Sequence, residues 1–235
     1  MTDNISRDEL NNTVSSKNQL KESQYVTFEN INRNNDGIKI MFVGNSITRH
    51  APKPDIGWFG DFGMAATSKD KDYVHIVISE VLKKHPNAKF CITQGAEWER
   101  DMMGCDLEKH YSASRNFAPD IIIYRLGENI PNEGLTEKAY CDGIDRLVSF
   151  LTSENPDAQI IYCTDFWFNK LKDETVIAYA QSKGKKAVFL GDLGDKDENK
   201  AIGLFEHSGV AAHPGDLGMK RIAERIIAAI DEILH

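Results

Sequence analysis

The sequence of 235 residues contains no apolar run that approaches the roughly 20 residues of a membrane-spanning helix. The stretch from Met1 to Ser23 is polar and lacks the apolar segment of a secretory signal, so we expect a cytoplasmic protein with no membrane partner. Positive charge is also scarce, with 28 Lys and Arg against 36 Asp and Glu. A nucleic-acid partner requires concentrated positive charge, and the net charge of -8 argues against one.

Cysteine is scarce too, and no two of the four residues are spaced as a Cys-x-x-Cys site: Cys91, Cys105, Cys141 and Cys163. Cys91 and Cys163 lie in apolar runs, where a free thiol acts as a small hydrophobic residue. All four are interpreted as reduced and structural. No histidine pair has the spacing of a helical zinc motif, and no glycine-rich loop resembles a phosphate-binding motif. We therefore expect neither a metal site nor a cofactor.

From residue 37 onward, the chain alternates short apolar runs with longer amphipathic stretches. The apolar runs predict buried β-strands over 38–43, 89–93, 120–126, 159–164 and 186–190. The amphipathic stretches predict helices over 71–84, 136–153, 170–182 and 217–234. This order favours an α/β fold in which one parallel sheet of five strands lies between two layers of helices.

The region before this alternation has a different composition. Residues 1–36 are predicted to form a polar N-terminal arm, with a short edge strand within 24–30 where apolar and polar residues alternate. Residues 37–235 are predicted to form a single domain, because no repeat, low-complexity block or long linker interrupts them.

The most informative segment is 44–48, with sequence GNSIT, directly after the first predicted strand of the domain. In open α/β sheets ligands bind at the carboxyl ends of the strands, which is where Ser46 falls. A serine hydroxyl is a poor nucleophile unless a base lies within hydrogen-bond reach. His213, in a loop before the last predicted helix, is the candidate base. Taken separately, Ser46 also fits a helix cap and His213 a turn residue.

Two further strand ends carry groups suited to stabilising an oxyanion. The predicted strand 89–93 runs into Gly95, where the missing side chain lets the backbone approach a ligand closely. The predicted strand 120–126 runs into Asn129, whose amide is a hydrogen-bond donor. Three successive strand ends with Ser, Gly and Asn, followed by a late His, form a constellation that is hard to obtain by chance.

In this order, four segments resemble the sequence blocks of the SGNH (GDSL-like) hydrolase superfamily: GNSIT at 44–48, QG at 94–95, GEN at 127–129 and HP at 213–214. The resemblance implies a flavodoxin-like three-layer α/β/α sandwich that hydrolyses esters. It also implies that Ser46 is the nucleophile and His213 the general base. The implied oxyanion hole consists of the N–H groups of Ser46 and Gly95 and the side chain of Asn129.

The chain departs from the family pattern at Val210, where an acidic residue usually precedes the histidine by three positions. A backbone carbonyl would then hold His213 in a Ser–His dyad, which is the arrangement we prefer. A carboxylate from elsewhere, such as Glu206 or Asp192, is the alternative. In either case His213 must be neutral to accept a proton, so activity is expected to rise through a pKa near that of histidine, about 6.5.

The loop over 49–67, just after the predicted nucleophile, is rich in glycine and aromatic residues. A pocket wall for stacking on a sugar or acyl group is predicted from four residues on this and neighbouring loops: Asn45, Trp58, Phe62 and Trp98. The alternative is that Trp58 and Phe62 simply bury the loop against the sheet.

Three functions are consistent with the sequence. The first is a serine esterase that removes a small acyl group, with acetyl preferred, from a carbohydrate or a similar polar alcohol. The second is a thioesterase or lysophospholipase that acts on longer acyl chains. The third is a non-enzymatic binding module, because a fold does not determine a function. The expected partner is a small-molecule or carbohydrate ester, and the oligomeric state is left open.

Overall fold

The computed structural model describes residues 25–31 and 36–234. Its strands, in chain order, are β1 (Val26–Glu29), β2 (Lys39–Gly44), β3 (Lys89–Gln94), β4 (Ile121–Arg125), β5 (Gln159–Cys163) and β6 (Lys186–Val188). Its helices are α1 (Tyr73–Lys84), α2 (Ala96–Arg100), α3 (Leu107–Asn116), α4 (Glu137–Leu151), α5 (Lys170–Ser182), α6 (Gly191–Gly194), α7 (Ser208–Ala211) and α8 (Asp216–Leu234).

The strands form one sheet in the order β1-β3-β2-β4-β5-β6. Strands β2 to β6 are parallel, as the apolar runs predict, and β1 pairs antiparallel with β3 at the edge. The predicted parallel α/β sheet is thus confirmed, and β1 extends it from five strands to six. This strand lies within the predicted 24–30 segment, whereas residues 1–24 and 32–35 of the predicted arm lie outside the described residues.

Alternate residues of each strand face opposite helix layers, since side chains in a strand point to the two faces in turn. On one face of β2, Ile40 and Phe42 pack with α1 and α8. On the other face, Met41 and Val43 pack with α3, α4 and α5. The result is a three-layer α/β/α sandwich whose sheet is covered on both sides.

The carboxyl ends of the central strands lie at the same edge of the sheet. Gly44 pairs with Gln94 on one side and with Arg125 on the other. Tyr124 pairs with Tyr162 in β5, which ends one residue later at the same edge. The loops that follow β2, β3, β4 and β5 therefore meet at one edge of the sheet.

The four predicted helices are present as α1, α4, α5 and α8, each within two residues of its predicted bounds. The sequence analysis does not predict α3, because its ten residues include few apolar side chains and it buries only Leu107, Tyr111 and Ser114. In the part of the chain that the structure describes, no helix combines the length and apolar character needed to cross a bilayer.

A charged bridge around His75 ties the edge strand β1 to α1. The imidazole Nδ1 lies 2.7 Å from Asp72 Oδ1, and Nε2 lies 3.1 Å from Glu29 Oε1. Lys69 also binds Glu29 Oε1, at 2.5 Å. Burial of the imidazole opposes its charge, but the hydrogen bonds to Asp72 and Glu29 outweigh this effect and raise the pKa of His75 to about 8.

We predict that this bridge makes stability depend on pH. The folded-state pKa of His75 is above the ordinary value, so its stabilisation is complete below about pH 6.5 and is lost as the pH rises through about 8. The free energy of unfolding should fall by up to roughly 2 kcal/mol between about pH 6 and pH 9. Urea unfolding of wild type and His75→Gln measures this, and an equal decline in both proteins would contradict the prediction.

Candidate active site

Ser46 lies in a tight turn directly after β2. The carbonyl of Asn45 accepts the N–H groups of Thr48 and Arg49, each at 3.0 Å. The turn requires glycine at position 44, since a β-carbon there would lie 1.8 Å from Thr48 Oγ1. The turn leaves Ser46 half-buried, at the edge of the sheet where the strand-end loops meet.

The structure brings together Ser46 and His213, which are 167 residues apart in the chain, with Ser46 Oγ at 2.8 Å from His213 Nε2. The other ring nitrogen, Nδ1, lies 2.6 Å from the carbonyl oxygen of Gly209 in α7. A carbonyl can only accept, so Nδ1 carries the hydrogen and the neutral ring presents the lone pair of Nε2 to the hydroxyl. This is the tautomer that a general base requires.

Neither of the two carboxylates considered as orienting groups lies at the His213 ring. The Asp192 carboxylate is bound by Arg225 at 2.5 and 2.8 Å, and Glu206 is exposed. Val210, which stands at the usual acid position, is 1 % exposed and belongs to a small apolar cluster with Trp58. The valine therefore anchors α7 while the carbonyl of the preceding residue orients the imidazole.

The environment of His213 favours its neutral form. Burial lowers the pKa of His213 to about 4, and the positive charge of Arg125 acts in the same direction. The hydrogen bond to Gly209 raises the pKa but offsets only part of this effect. The pKa of His213 is therefore lower than the value near 6.5 that the sequence analysis expects.

The N–H of Gly95 is not available as an oxyanion donor. It donates to the carbonyl of Gly44 at 2.6 Å and so continues the pairing of β2 with β3. The glycine instead permits close packing, since a β-carbon there would lie 2.8 Å from two methyl carbons of Leu126. The predicted role of Gly95 is therefore wrong in this structure.

The other two predicted donors each retain a free N–H. Among the described residues, none accepts a hydrogen bond from the backbone N–H of Ser46. The side-chain nitrogen of Asn129 donates to Glu99 Oε2 at 2.5 Å. Because an amide nitrogen carries two hydrogens, this bond orients Asn129 and leaves its second N–H unused.

A buried polar network lies beneath these residues and is centred on the fully buried Arg125. Its guanidinium contacts Glu128 at 2.5 and 2.8 Å and Asn45 Oδ1 at 3.0 Å. Asn45 in turn donates to Glu99 at 3.0 Å, and Glu99 binds Asn129. Asn45 is therefore an interior residue, not part of a pocket wall, and a chain of hydrogen bonds runs from Arg125 to Asn129.

The predicted aromatic pocket wall is largely buried. Trp58 is 2 % exposed and packs edge-on against the half-buried ring of Phe62, with their centroids 5.1 Å apart. Trp98 is completely buried and packs edge-on against Tyr124, with centroids 6.1 Å apart. The alternative interpretation, in which these rings bury the loop, is therefore the one that the structure favours.

A cleft of about 410 Å³ opens between the loops that follow β4 and β5. Trp167 lines it and packs edge-on against the ring of His213, with centroids 5.3 Å apart, so the cleft lies beside the dyad. The rest of its lining is mostly polar and consists of Glu128, Asn129, Asn132, Asp165, Asn169 and Lys172 with Ile130, Pro131 and Phe168. The sequence analysis missed this cleft, although Asp165 and Trp167 follow the carboxyl end of β5, where ligand contacts are common.

Within the described ranges 25–31 and 36–234, no set of three or more His, Cys, Asp or Glu side chains is arranged to hold a metal ion. The four cysteines are free thiols, and three of them are buried: Cys91, Cys105 and Cys163.

No protein-family model matches the chain, and no curated protein sequence matches it. Several solved structures match it in fold. The psychrotrophic esterase EstA from Pseudoalteromonas sp. matches with a TM-score of 0.55 at 11% identity, over 83% of this chain and 98% of that chain. A family two carbohydrate esterase from Clostridium thermocellum in complex with cellohexaose matches with a TM-score of 0.53 at 18% identity, over 84% and 64%. A protein from Bacteroides ovatus described as a GDSL-like lipase matches with a TM-score of 0.53 at 17% identity, over 84% and 100%.

These comparisons confirm the predicted α/β/α fold, which this chain shares with an esterase and with a protein described as a GDSL-like lipase. At identities of 11% to 18%, the likeness concerns the fold, and residue roles must be argued from the geometry of this chain. The chain spans 64% of the length of the carbohydrate esterase.

We predict that Arg125 is essential for stability, because removing it leaves Glu128 buried without its cation. Arg125→Met should lower the free energy of unfolding by about 3–5 kcal/mol, as for other broken buried ion pairs. The matched control is Arg225→Met, which breaks the partly exposed pair with Asp192 and should cost about 1 kcal/mol or less. Urea unfolding of the three proteins gives both values, and similar losses in the two variants would contradict the prediction.

Proposed function

We propose that the protein is a serine ester hydrolase with Ser46 as the nucleophile and His213 as the general base. The observation that carries the proposal is the 2.8 Å contact between Ser46 Oγ and His213 Nε2, with Nδ1 bound to the carbonyl of Gly209. A serine that only caps a turn requires no imidazole oriented in this way. The likeness in fold to known esterases supports the same reaction class.

The proposed reaction proceeds in two halves. Ser46 Oγ attacks the acyl carbonyl carbon while its proton passes to Nε2 of His213. The N–H of Ser46 and the free amide N–H of Asn129 stabilise the negative oxygen that forms. The acyl C–O bond then breaks, and the leaving alcohol takes the proton from His213. A water molecule attacks the acyl-enzyme in the same manner, passing a proton through His213 to Ser46 and releasing the acid.

We propose a short acyl group, with acetyl preferred, on a carbohydrate or a similar polar alcohol. The polar cleft beside the dyad supports this substrate, since side chains such as Asn132 and Asn169 suit hydroxyl groups. A long acyl chain requires a continuous apolar lining, so the cleft disfavours the thioesterase and lysophospholipase alternative. The likeness in fold to a carbohydrate esterase solved with cellohexaose also favours a sugar ester.

The proposal is tested by hydrolysis of p-nitrophenyl acetate. Ser46→Ala should lower kcat by at least about a thousandfold, because the nucleophile is lost. The control Ser153→Ala, at an exposed serine just after α4, should match wild type. A fluorophosphonate probe should label Ser46, as read by mass spectrometry of the digested protein. Equal rates for Ser46→Ala and wild type, or labelling elsewhere, would contradict the proposed nucleophile.

We predict an unusually acidic lower limb in the pH profile. The neutral form of His213 is the active one, and burial lowers its pKa to about 4. Because His213 is only half-buried, the midpoint of the acidic limb of kcat/KM should lie between about pH 4 and pH 6.5, below the ordinary histidine pKa. Rates on p-nitrophenyl acetate from about pH 3.5 to 8 measure it. A limb centred at or above about pH 6.5 would contradict this assignment.

A further inference from the structure

Four carboxyl groups lie near one another, and two of them, those of Glu128 and Asp165, line the cleft. Three of the four have hydrogen-bond donors of their own. Glu99 accepts a backbone N–H at 2.6 Å and an amide N–H at 2.5 Å. Glu128 is bound by the guanidinium of Arg125 at 2.5 and 2.8 Å. Asp173 accepts the backbone N–H of Asp165 at 3.2 Å. The carboxyl groups of these three residues therefore have hydrogen-bond partners within the protein.

The fourth carboxyl group, that of Asp165, has no such donor. The residue is 3 % exposed and lines the cleft, yet no group among the described residues hydrogen-bonds to its carboxyl oxygens. One of these oxygens lies close to Gly127, where a β-carbon would lie 2.0 Å from it. The nearby ammonium of Lys172 donates two of its three N–H groups to the carbonyls of Gly127 and Ile130, at 2.9 and 2.6 Å, and does not hydrogen-bond to Asp165. Asp165 is therefore a buried polar group whose carboxyl oxygens have no hydrogen-bond partner among the described residues.

The surroundings determine what this group offers to a ligand. Burial, followed by the negative charges of Glu128 and Asp173, raises the pKa of Asp165 well above its ordinary value. A raised pKa favours the neutral carboxylic acid, which has one O–H donor and one carbonyl acceptor. An alcohol hydroxyl also donates once and accepts, so the two groups are complementary. A cationic ligand, by contrast, would require the ionised form.

We propose that Asp165 binds a free hydroxyl of the alcohol part of the substrate, which is therefore a sugar or another polyol that keeps an unesterified hydroxyl. This inference rests on the proposed ester hydrolysis and adds the recognition of the leaving alcohol. Asn129 and Trp167 also line the cleft, and the ring of Trp167 packs edge-on against that of His213, so the cleft that holds Asp165 adjoins the proposed active site.

The test compares two variants on two substrates. Asp165→Ala removes both the hydrogen-bond donor and the acceptor. Asp165→Asn keeps a carbonyl acceptor and an N–H donor and cannot ionise. On monoacetylated glucose, Asp165→Ala should lower kcat/KM roughly tenfold or more, chiefly through KM, as for the loss of one hydrogen bond to a buried polar group. Asp165→Asn should stay within about threefold of wild type, because it preserves the neutral hydrogen-bonding pattern. On p-nitrophenyl acetate, which has no sugar, both variants should match wild type.

A binding measurement separates this inference from the proposed chemistry. Calorimetric titration of Ser46→Ala protein with monoacetylated glucose requires no turnover, and adding Asp165→Ala should weaken Kd by a similar factor. Equal affinities, or no binding to the Ser46→Ala protein, would overturn the inference. So would an equal loss of activity by Asp165→Ala on both substrates, since that result indicates a structural role. If wild type fails to hydrolyse p-nitrophenyl acetate, the proposed function fails, and the titration still decides the role of Asp165.

Discussion

The buried guanidinium of Arg125 is the constraint on which the whole edge of the sheet depends. A charge taken out of water is unfavourable unless partners surround it, and Glu128 and Asn45 are those partners. Asn45 directly precedes Ser46, and Glu128 directly precedes Asn129. Satisfying one buried charge therefore also fixes the two backbone positions from which the proposed nucleophile and amide donor project.

The second support of the dyad is apolar. Trp58 and Val210 belong to one small cluster, which joins the loop after Ser46 to α7. The carbonyl of Ser46 accepts the N–H of Met64 at 2.8 Å, so the same loop also holds the serine. A valine at the usual acid position is thus consistent with an oriented histidine, because rigid packing places a carbonyl where a carboxylate would otherwise be. A carbonyl stabilises imidazolium less than a carboxylate does, which agrees with the lowered pKa of His213.

The sequence was sufficient to predict the layers of the fold, because apolar periodicity depends on local pattern. The meeting of Ser46 with His213 was predicted from the strand-end position of the serine together with the resemblance of four segments to the SGNH blocks. It did not predict the role of Gly95, because the register of β2 against β3 determines that the N–H of Gly95 donates to a carbonyl within the sheet. It also gave no sign of the role of Glu99, a charged residue in a short helix that becomes completely enclosed only in three dimensions. Burial of charge is a tertiary property, and the polar network was missed for that reason.

The balance of buried charges in this network affects the ionisation of Asp165. Two buried cations share the interior with four carboxyl groups: Arg125 and Lys172 with Glu99, Glu128, Asp165 and Asp173. Burial and the mutual repulsion of these acids both disfavour ionisation, and they raise the pKa of Asp165, which has no hydrogen-bond donor, well above its ordinary value. A buried acid that no protein group satisfies destabilises the fold relative to a well-packed apolar residue. Binding a ligand hydroxyl that completes its hydrogen bonds is the role that we propose for Asp165 in the cleft.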